Sequence, residues 1–409
     1  MFQQIRSQSK ASQIQSITGS IAADGKGGGK GGEGLSTTQS AKKYLDDMLE
    51  KNSDKREVVG ELAKAYLRLA EVEFKGSGLL KGDRGAAIQS ARKAYELTLK
   101  LSSGGGASEL ELLEYSRSAK MLSGLLNEAR DYKEAVKVAQ DWKNRLSSSI
   151  SANPQVLKAK AAADATLADL MFAAGDRQAS LPFARSAMRQ FGSIFDSDKG
   201  NPAKARDYAQ SANSAGDKAL KMNMLSEALS IFRTAEKTIR PQASKPDSEV
   251  EPLLDLARTM NGLGEALEKS KQGDEALASY REARQLLEQA AKREADNEDA
   301  AEGLADNLVR TARIWKETSG MAMAVEETER AVAILRRLVE KPGTKSEYRK
   351  QLAQALSLKG EMARSQRKGI VAKESFEESV GLWNSYGRLV GLKPEEEMEI
   401  GRLKTLAAK

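Results

Sequence analysis

Small and apolar residues recur along this chain at i, i+4 and i+7, the spacing that lays three side chains on one helical face. Seven such sets can be read: Ala87/Ala91/Ala94, Ala135/Ala139/Trp142, Ser180/Ala184/Ala187, Ala228/Phe232/Ala235, Ala276/Tyr280/Ala283, Ala324/Thr328/Ala331 and Ala372/Phe376/Ser379. Subtracting successive lead positions gives a step of 48 every time but one, the step from Ala135 to Ser180, which is 45. Twelve positions before each lead stands another small residue, where a second helix could approach closely: Ser123, Ala168, Gly216, Gly264, Ala312 and Gly360. The first set departs from this, because the stretch Gly76–Asp83 lengthens its turn, and Ala70 is the equivalent there.

Small residues at the crossing of two helices, with a larger one filling the gap beside them, are the pattern of a tetratricopeptide unit. The usual unit has about 34 residues, so the longer period here predicts about two additional turns on each helix at ~1.5 Å per residue. The expected fold is all-α, a tetratricopeptide-like α-solenoid of about seven long helix–turn–helix repeats, with units near 54–101, 107–150, 153–196, 201–240, 248–294, 296–341 and 344–391. The pairs Gly82-Asp83, Gly175-Asp176 and Gly273-Asp274 read as turns, with Gly ending one helix in a left-handed conformation and Asp capping the next.

The array is expected over 39–391, with residues 39–52 (Tyr44, Leu45, Met48, Leu49) opening it and a polar capping helix over 393–408 closing it. Upstream, 1–21 reads as a weakly amphipathic helix carrying Phe2, Ile5, Ile14, Ile17 and Ile21. Residues 22–38 are too rich in Gly to bury a core and read as a flexible linker. Within them, Gly25–Gly31 is no phosphate-binding loop, since Asp24 and Gly31 occupy the positions of the first Gly and the hydroxyl residue.

Composition narrows the chemistry. The chain holds no Cys and no His, which excludes disulfides, thiol nucleophiles and His-based triads. No cofactor or metal site is expected, and the reading is of a non-enzyme. Of the net charge of +7, +4 sits in residues 1–43, and elsewhere the two signs alternate along helices. That mixture describes solvated faces rather than a nucleic-acid track. Binding of nucleic acid through the basic N-terminal region is the least favoured alternative. Trp142, Trp315 and Trp383 fall on apolar helical stripes and read as packing residues, with a hot-spot role in binding as the lesser alternative.

The first helix of each unit lines the inner groove of a tetratricopeptide array. Counting back from the lead positions places Arg117, Lys120 and Asn127 there, then Asn213, Asp217 and Lys221, then Arg258, Asn261 and Glu265. Asp306, Arg313 and Lys316 follow, then Glu361 and Arg364. Such a wall could hold a peptide or protein partner through charge-assisted hydrogen bonds. The residues expected to bind are Lys120, Asn127, Asn213, Lys221, Arg258, Asn261, Arg313 and Lys316.

Two stretches carry a narrower likeness. Phe2-Gln3-Gln4-Ile5-Arg6, Tyr44-Leu45-Asp46 and the 61–97 segment, including Leu80-Lys81-Gly82-Asp83-Arg84-Gly85-Ala86-Ala87, follow one family's order. Together they resemble the region C-terminal to the membrane anchor in bacterial receptor-like serine/threonine protein kinases with tetratricopeptide tails. The resemblance implies a partner-sensing region, extracytoplasmic if attached to such a receptor. It does not imply kinase activity. The chain has no His-Arg-Asp, Asp-Phe-Gly or Val-Ala-Ile-Lys motif. If Met1 is the true start, the lack of a signal peptide or membrane-length apolar run predicts a cytoplasmic protein.

Overall fold

The structure, a computed structural model, describes residues 33–75, 83–103, 107–245, 249–318, 320–341 and 344–408. The helix expected over 1–21 and the linker over 22–32 lie outside these residues. Sixteen helices and no strand occupy the described residues. The first helices of the hairpins keep one length, more than five turns each, which is the extension that the long repeat period requires. The chain is an all-α, tetratricopeptide-like α-solenoid of seven helical hairpins. It divides into two compact units, Met1–Asp196 and Ser197–Lys409.

In the N-terminal unit, α1 (Glu33–Asn52) precedes three hairpins: α2 (Arg56–Lys75) with α3 (Arg84–Ser102), α4 (Glu109–Glu128) with α5 (Tyr132–Ser147), and α6 (Pro154–Ala173) with α7 (Arg177–Asp196). Helix α1 already begins at Glu33, so residues 33–38, expected within the linker, are helical instead. After Gly34 nothing in Leu35-Ser36-Thr37-Thr38 breaks a helix. Leu45 of α1 packs with Val58, Leu62, Tyr66 and Leu69 of α2. The next core gathers Ala91, Tyr115, Leu122, Ala139, Trp142 and Leu167 from successive hairpins.

The C-terminal unit holds four hairpins. These are α8 (Pro202–Lys221) with α9 (Leu225–Ala243), α10 (Val250–Lys269) with α11 (Gly273–Arg293), α12 (Glu298–Glu317) with α13 (Met321–Glu340), and α14 (Ser346–Ser365) with α15 (Gly369–Val390). A last helix, α16 (Pro394–Ala407), starts one repeat period after α14 and therefore holds the place of another first helix. Its Ile400 and Leu403 pack against the core containing Phe376, Trp383 and Tyr386.

The crossing within each hairpin follows a size rule. A Cβ on Gly216 would lie 2.6 Å from the Phe232 ring, one on Gly264 2.7 Å from Tyr280, and one on Gly360 2.6 Å from Phe376. Where the second helix instead carries Ala139, Ala184 or Thr328, the first carries Ser123, Ala168 or Ala312, and all six are buried. An aromatic ring thus takes the volume that a glycine leaves, and a small residue meets a small residue.

Five of the hairpin turns share one hydrogen-bond pattern. Asp131, Asp176, Met224, Gln272 and Lys368 each donate an N–H to the carbonyl five residues back: Leu126, Met171, Ala219, Leu267 and Ala363, at 2.8–2.9 Å. The preceding residue is left-handed in every case: Arg130, Gly175, Asn223, Lys271 and Arg367. This is the Schellman ending of a helix. Gly175-Asp176 fits the expected Gly-Asp turn, and Asp176 accepts from the Ala179 N–H. Asp83 caps α3 by accepting from the Ala86 N–H at 2.9 Å. Gly82 is outside the described residues. Gly273 does not fit, because it is the first residue of α11 and the left-handed conformation falls two residues earlier, on Lys271.

Candidate partner-binding site

Two polar seams join successive hairpins of the C-terminal unit. On the second helices, Arg240 pairs with Glu282, Glu288 with Arg330 at 3.4 Å and Arg336 with Glu378 at 2.7 Å, every pair 42 residues apart. The sign alternates from step to step, so either polarity closes the same geometry. On the first helices, Arg258 lies 3.5 Å from Asp217 and Arg402 lies 3.0 Å from Glu361, both pairs 41 residues apart. Between these, Arg310 bridges Glu265 at 2.5 Å and Asp306 at 2.7 Å.

The electrostatics of the first-helix seam follow from partial burial. Asp217 keeps 39% of its side-chain surface, yet desolvation pushes its carboxyl above the ordinary range despite Arg258 and Lys221. Glu265 and Glu361 are also desolvated, but Arg310 with Lys269, and Lys316 with Arg402, outweigh that and hold both carboxyls below their ordinary values. For Arg402 the hydrogen bond to Glu399 comes first in raising its pKa.

The residues expected to bind a partner separate on this map. Lys120 and Arg117 are exposed on α4 of the N-terminal unit, where Arg117 pairs with Glu114 at 2.8 Å, and Asn127 is half-buried near the end of the same helix. Lys221 is exposed at the end of α8, Arg258 is tied to Asp217, and Arg364 is exposed on α14. Two expectations need correction. Asn213 is fully buried; its side chain accepts from the Thr259 hydroxyl at 3.0 Å. Asn261 is buried and accepts from the Asn307 amide at 2.7 Å. Both partners lie 46 residues further on, so these asparagines bond the next hairpin's first helix rather than face a groove. The second bond continues into a buried network: Arg284 donates to Asn307 at 3.2 Å, Thr311 at 2.7 Å and Glu327 at 2.8 Å.

The remaining expected residues converge. Arg313 and Lys316 line one open cleft of about 540 Å³ with Glu361, Gln354 and Ser357 of α14 and Glu395, Glu399 and Arg402 of α16. Leu358 and Trp383 add apolar surface. Ion pairs brace the walls: Lys316 to Glu361 at 2.5 Å, Arg402 to Glu399 at 2.7 Å, and Lys350 to Glu396 at 3.1 Å. Gln354, Glu399 and Arg402 were not foreseen, and for Trp383 the lesser of its two expected roles is the one that bears on the cleft. A signal for Arg402 existed, since Arg258, Asp306, Gln354 and Arg402 stand at equivalent positions of successive repeats. A smaller cleft of about 290 Å³ lies in the N-terminal unit, lined by Lys42, Asp46 and Tyr66 with residues of α3.

Among the described residues no group of three or more Asp or Glu is placed to hold a metal ion, and no helix is long and apolar enough to cross a membrane. No family model and no curated protein matches the chain. Among solved structures it is similar to the apo form of RapI, at 12% identity over 97% of this chain and 98% of that one, with a TM-score of 0.49. It is similar to aspartyl phosphate phosphatase F from Bacillus subtilis, at 12% identity over 98% and 94%, with a TM-score of 0.47. It is similar also to YrrB, described as a TPR protein with an unusual peptide-binding site, at 15% identity over 63% and 95%, with a TM-score of 0.34. The hairpin crossings and turns described above carry the fold assignment independently of these overlaps.

Proposed function

We propose that the chain is a non-catalytic helical-repeat scaffold that docks a peptide or protein segment in the cleft between α12, α14 and α16. The observation that carries this reading is the cleft itself. Several helices build it, and its walls present charged groups of both signs braced by internal ion pairs, so they are held in place before a partner arrives. Pre-ordered polar groups around a modest apolar floor suit recognition of an extended segment, because little side-chain entropy remains to be lost on binding. Alanine replacement of Arg313 and Lys316 should weaken partner binding at least tenfold. The same change at Arg117 and Lys120 of the N-terminal unit should leave it within twofold. Equal loss from both pairs, read by pull-down and calorimetry, would remove the cleft from the proposal.

A second reading rests on the resemblance of the 1–100 segments. In it, the chain is the sensing tail of a bacterial membrane serine/threonine kinase. Sequencing the DNA adjoining the Met1 codon tests this: a kinase and membrane-helix segment in frame or next to it supports the reading, and an unrelated gene or a promoter removes it.

A further inference from the structure

The first-helix seam of the C-terminal unit has four register positions, Asp217, Glu265, Arg313 and Glu361, each one repeat period from the next. Opposite them, on the following first helices, stand Arg258, Asp306, Gln354 and Arg402. Three of these rungs are closed inside the protein. Asp217 has Arg258, Glu361 has Arg402, and the like-charged Glu265 and Asp306 are joined through Arg310. The fourth is open. Arg313 is the one cation among the four register positions, and Gln354 opposite it brings no charge. Among the described residues Arg313 has no ion pair or hydrogen bond, and it lines the cleft.

A residue lining the same cleft, Trp383, carries a buried polar group without a partner. Trp383 is 2% exposed and its indole N–H has no acceptor. Buried donors are nearly always paired, and one left unpaired is costly. Arg313, an unspent guanidinium lining the cleft, calls for an acceptor of negative charge, and Trp383 lies beside it as a reporter.

We propose that the docked partner closes the open rung with a carboxylate, placed on Arg313 where the neighbouring rungs have a carboxylate of the protein itself. This rests on the cleft being the docking site and names what it selects. The carboxylate can belong to an Asp or Glu side chain or to a chain terminus. Gln354 is then a specificity position, because an acidic residue there would close the rung internally. The second-helix seam, which accepts both polarities, supports that closure.

The chain has three tryptophans, so the indole N–H signal of Trp383 can be followed individually in a nitrogen–proton correlation spectrum. The probes are N-acetyl-glutamate N-methylamide for a side-chain carboxylate and N-acetylglycine for a terminal one. N-acetyl-glutamine N-methylamide is the neutral control. A saturable shift with a carboxylate probe, absent with the control, is expected, and the responding probe identifies the source. Arg313→Gln and Gln354→Glu should each weaken the response at least tenfold with the fold intact, Gln354→Glu also raising the melting temperature. No response to either carboxylate in the wild type, or a response unchanged in both variants, would overturn the proposal. If alanine replacement of Arg313 and Lys316 abolishes partner binding while the carboxylate probes give nothing, the docking site stands and only its selectivity is wrong.

Discussion

The hairpins of the N-terminal unit cross on Ala and Ser, whereas three of the four in the C-terminal unit set a glycine against an aromatic ring. Both solutions let two backbones approach, but they distribute volume differently. The small-on-small crossing tolerates modest change on either helix. The glycine-on-ring crossing is matched closely, Phe232 meeting both Gly216 and Gly262, and fails if either side changes. The seams differ in the same sense. In the N-terminal unit, Arg92 pairs with Glu134 at the same 42-residue step, but Arg56 pairs with Glu111 across 55 residues. In the C-terminal unit the pairs recur with the repeat period. A strict register makes a missing partner visible, and Arg313 is where it is missing.

The largest effect should come from converting one crossing type into the other. Phe376→Ala in the C-terminal unit removes a fully buried ring and should cost about 3–5 kcal/mol. Gly360→Ala forces a methyl into that ring and should cost about 1–3 kcal/mol. The double variant recreates the small-on-small crossing of the N-terminal unit, so its cost should fall short of the sum. Urea unfolding followed by the fluorescence of Trp383, on the same helix as Phe376, measures all three; strict additivity would refute the size rule.

The buried Arg284 network comes next. Arg284→Met leaves Glu327, 5% exposed, without its cation and should destabilise by about 3–5 kcal/mol. Adding Glu327→Met should restore most of the loss. The N-terminal pair Arg92–Glu134 is more exposed, at 38% and 33%, and Arg92→Met there should cost under about 1 kcal/mol.

Asp255 gives the C-terminal unit a pH dependence. Burial raises its carboxyl to about 6, with Gln210 and Arg206 opposing the rise. The folded state therefore holds this proton more tightly than the unfolded chain does. Stability from this group is full below about pH 4, falls as pH rises to 6 and is constant above. Asp255→Asn should accordingly stabilise by about 1–3 kcal/mol at pH 7.5 and change little at pH 4, as thermal melts at the two values would show. In the N-terminal unit the sign is opposite. The hydrogen bond from Arg56 depresses Glu111 to about 2, so its contribution is present at neutral pH and is lost as pH falls from about 4.5 toward 2. The smallest effect is expected at the exposed rungs: Arg402→Ala should cost no more than about 1 kcal/mol.

The hairpins were legible in the sequence because the lead Ala positions record close packing, and packing repeats with the fold. The polar positions were less so. Asn213 and Asn261 sit at offsets that line a groove in the shorter common unit. Here their partners, Thr259 and Asn307, come from the next first helix. An offset count sees one helix and cannot tell which neighbour covers it. Gly273 misled for a related reason, since the left-handed conformation is fixed on Lys271 by the hydrogen bonds of the turn rather than by a residue's own preference. Gln354 carries no mark of its own. Its meaning appears only beside Arg258, Asp306 and Arg402.

The claim that the cleft is the working surface is tested most directly by a photo-crosslinking amino acid placed at Glu395, on the cleft, and separately at Glu377, exposed on α15. Irradiation in the source cells, followed by mass spectrometry, should give one discrete adduct from Glu395 that Arg313→Gln abolishes, and none of that mass from Glu377. The same adduct from both positions, or one from Glu395 that survives Arg313→Gln undiminished, would contradict the account.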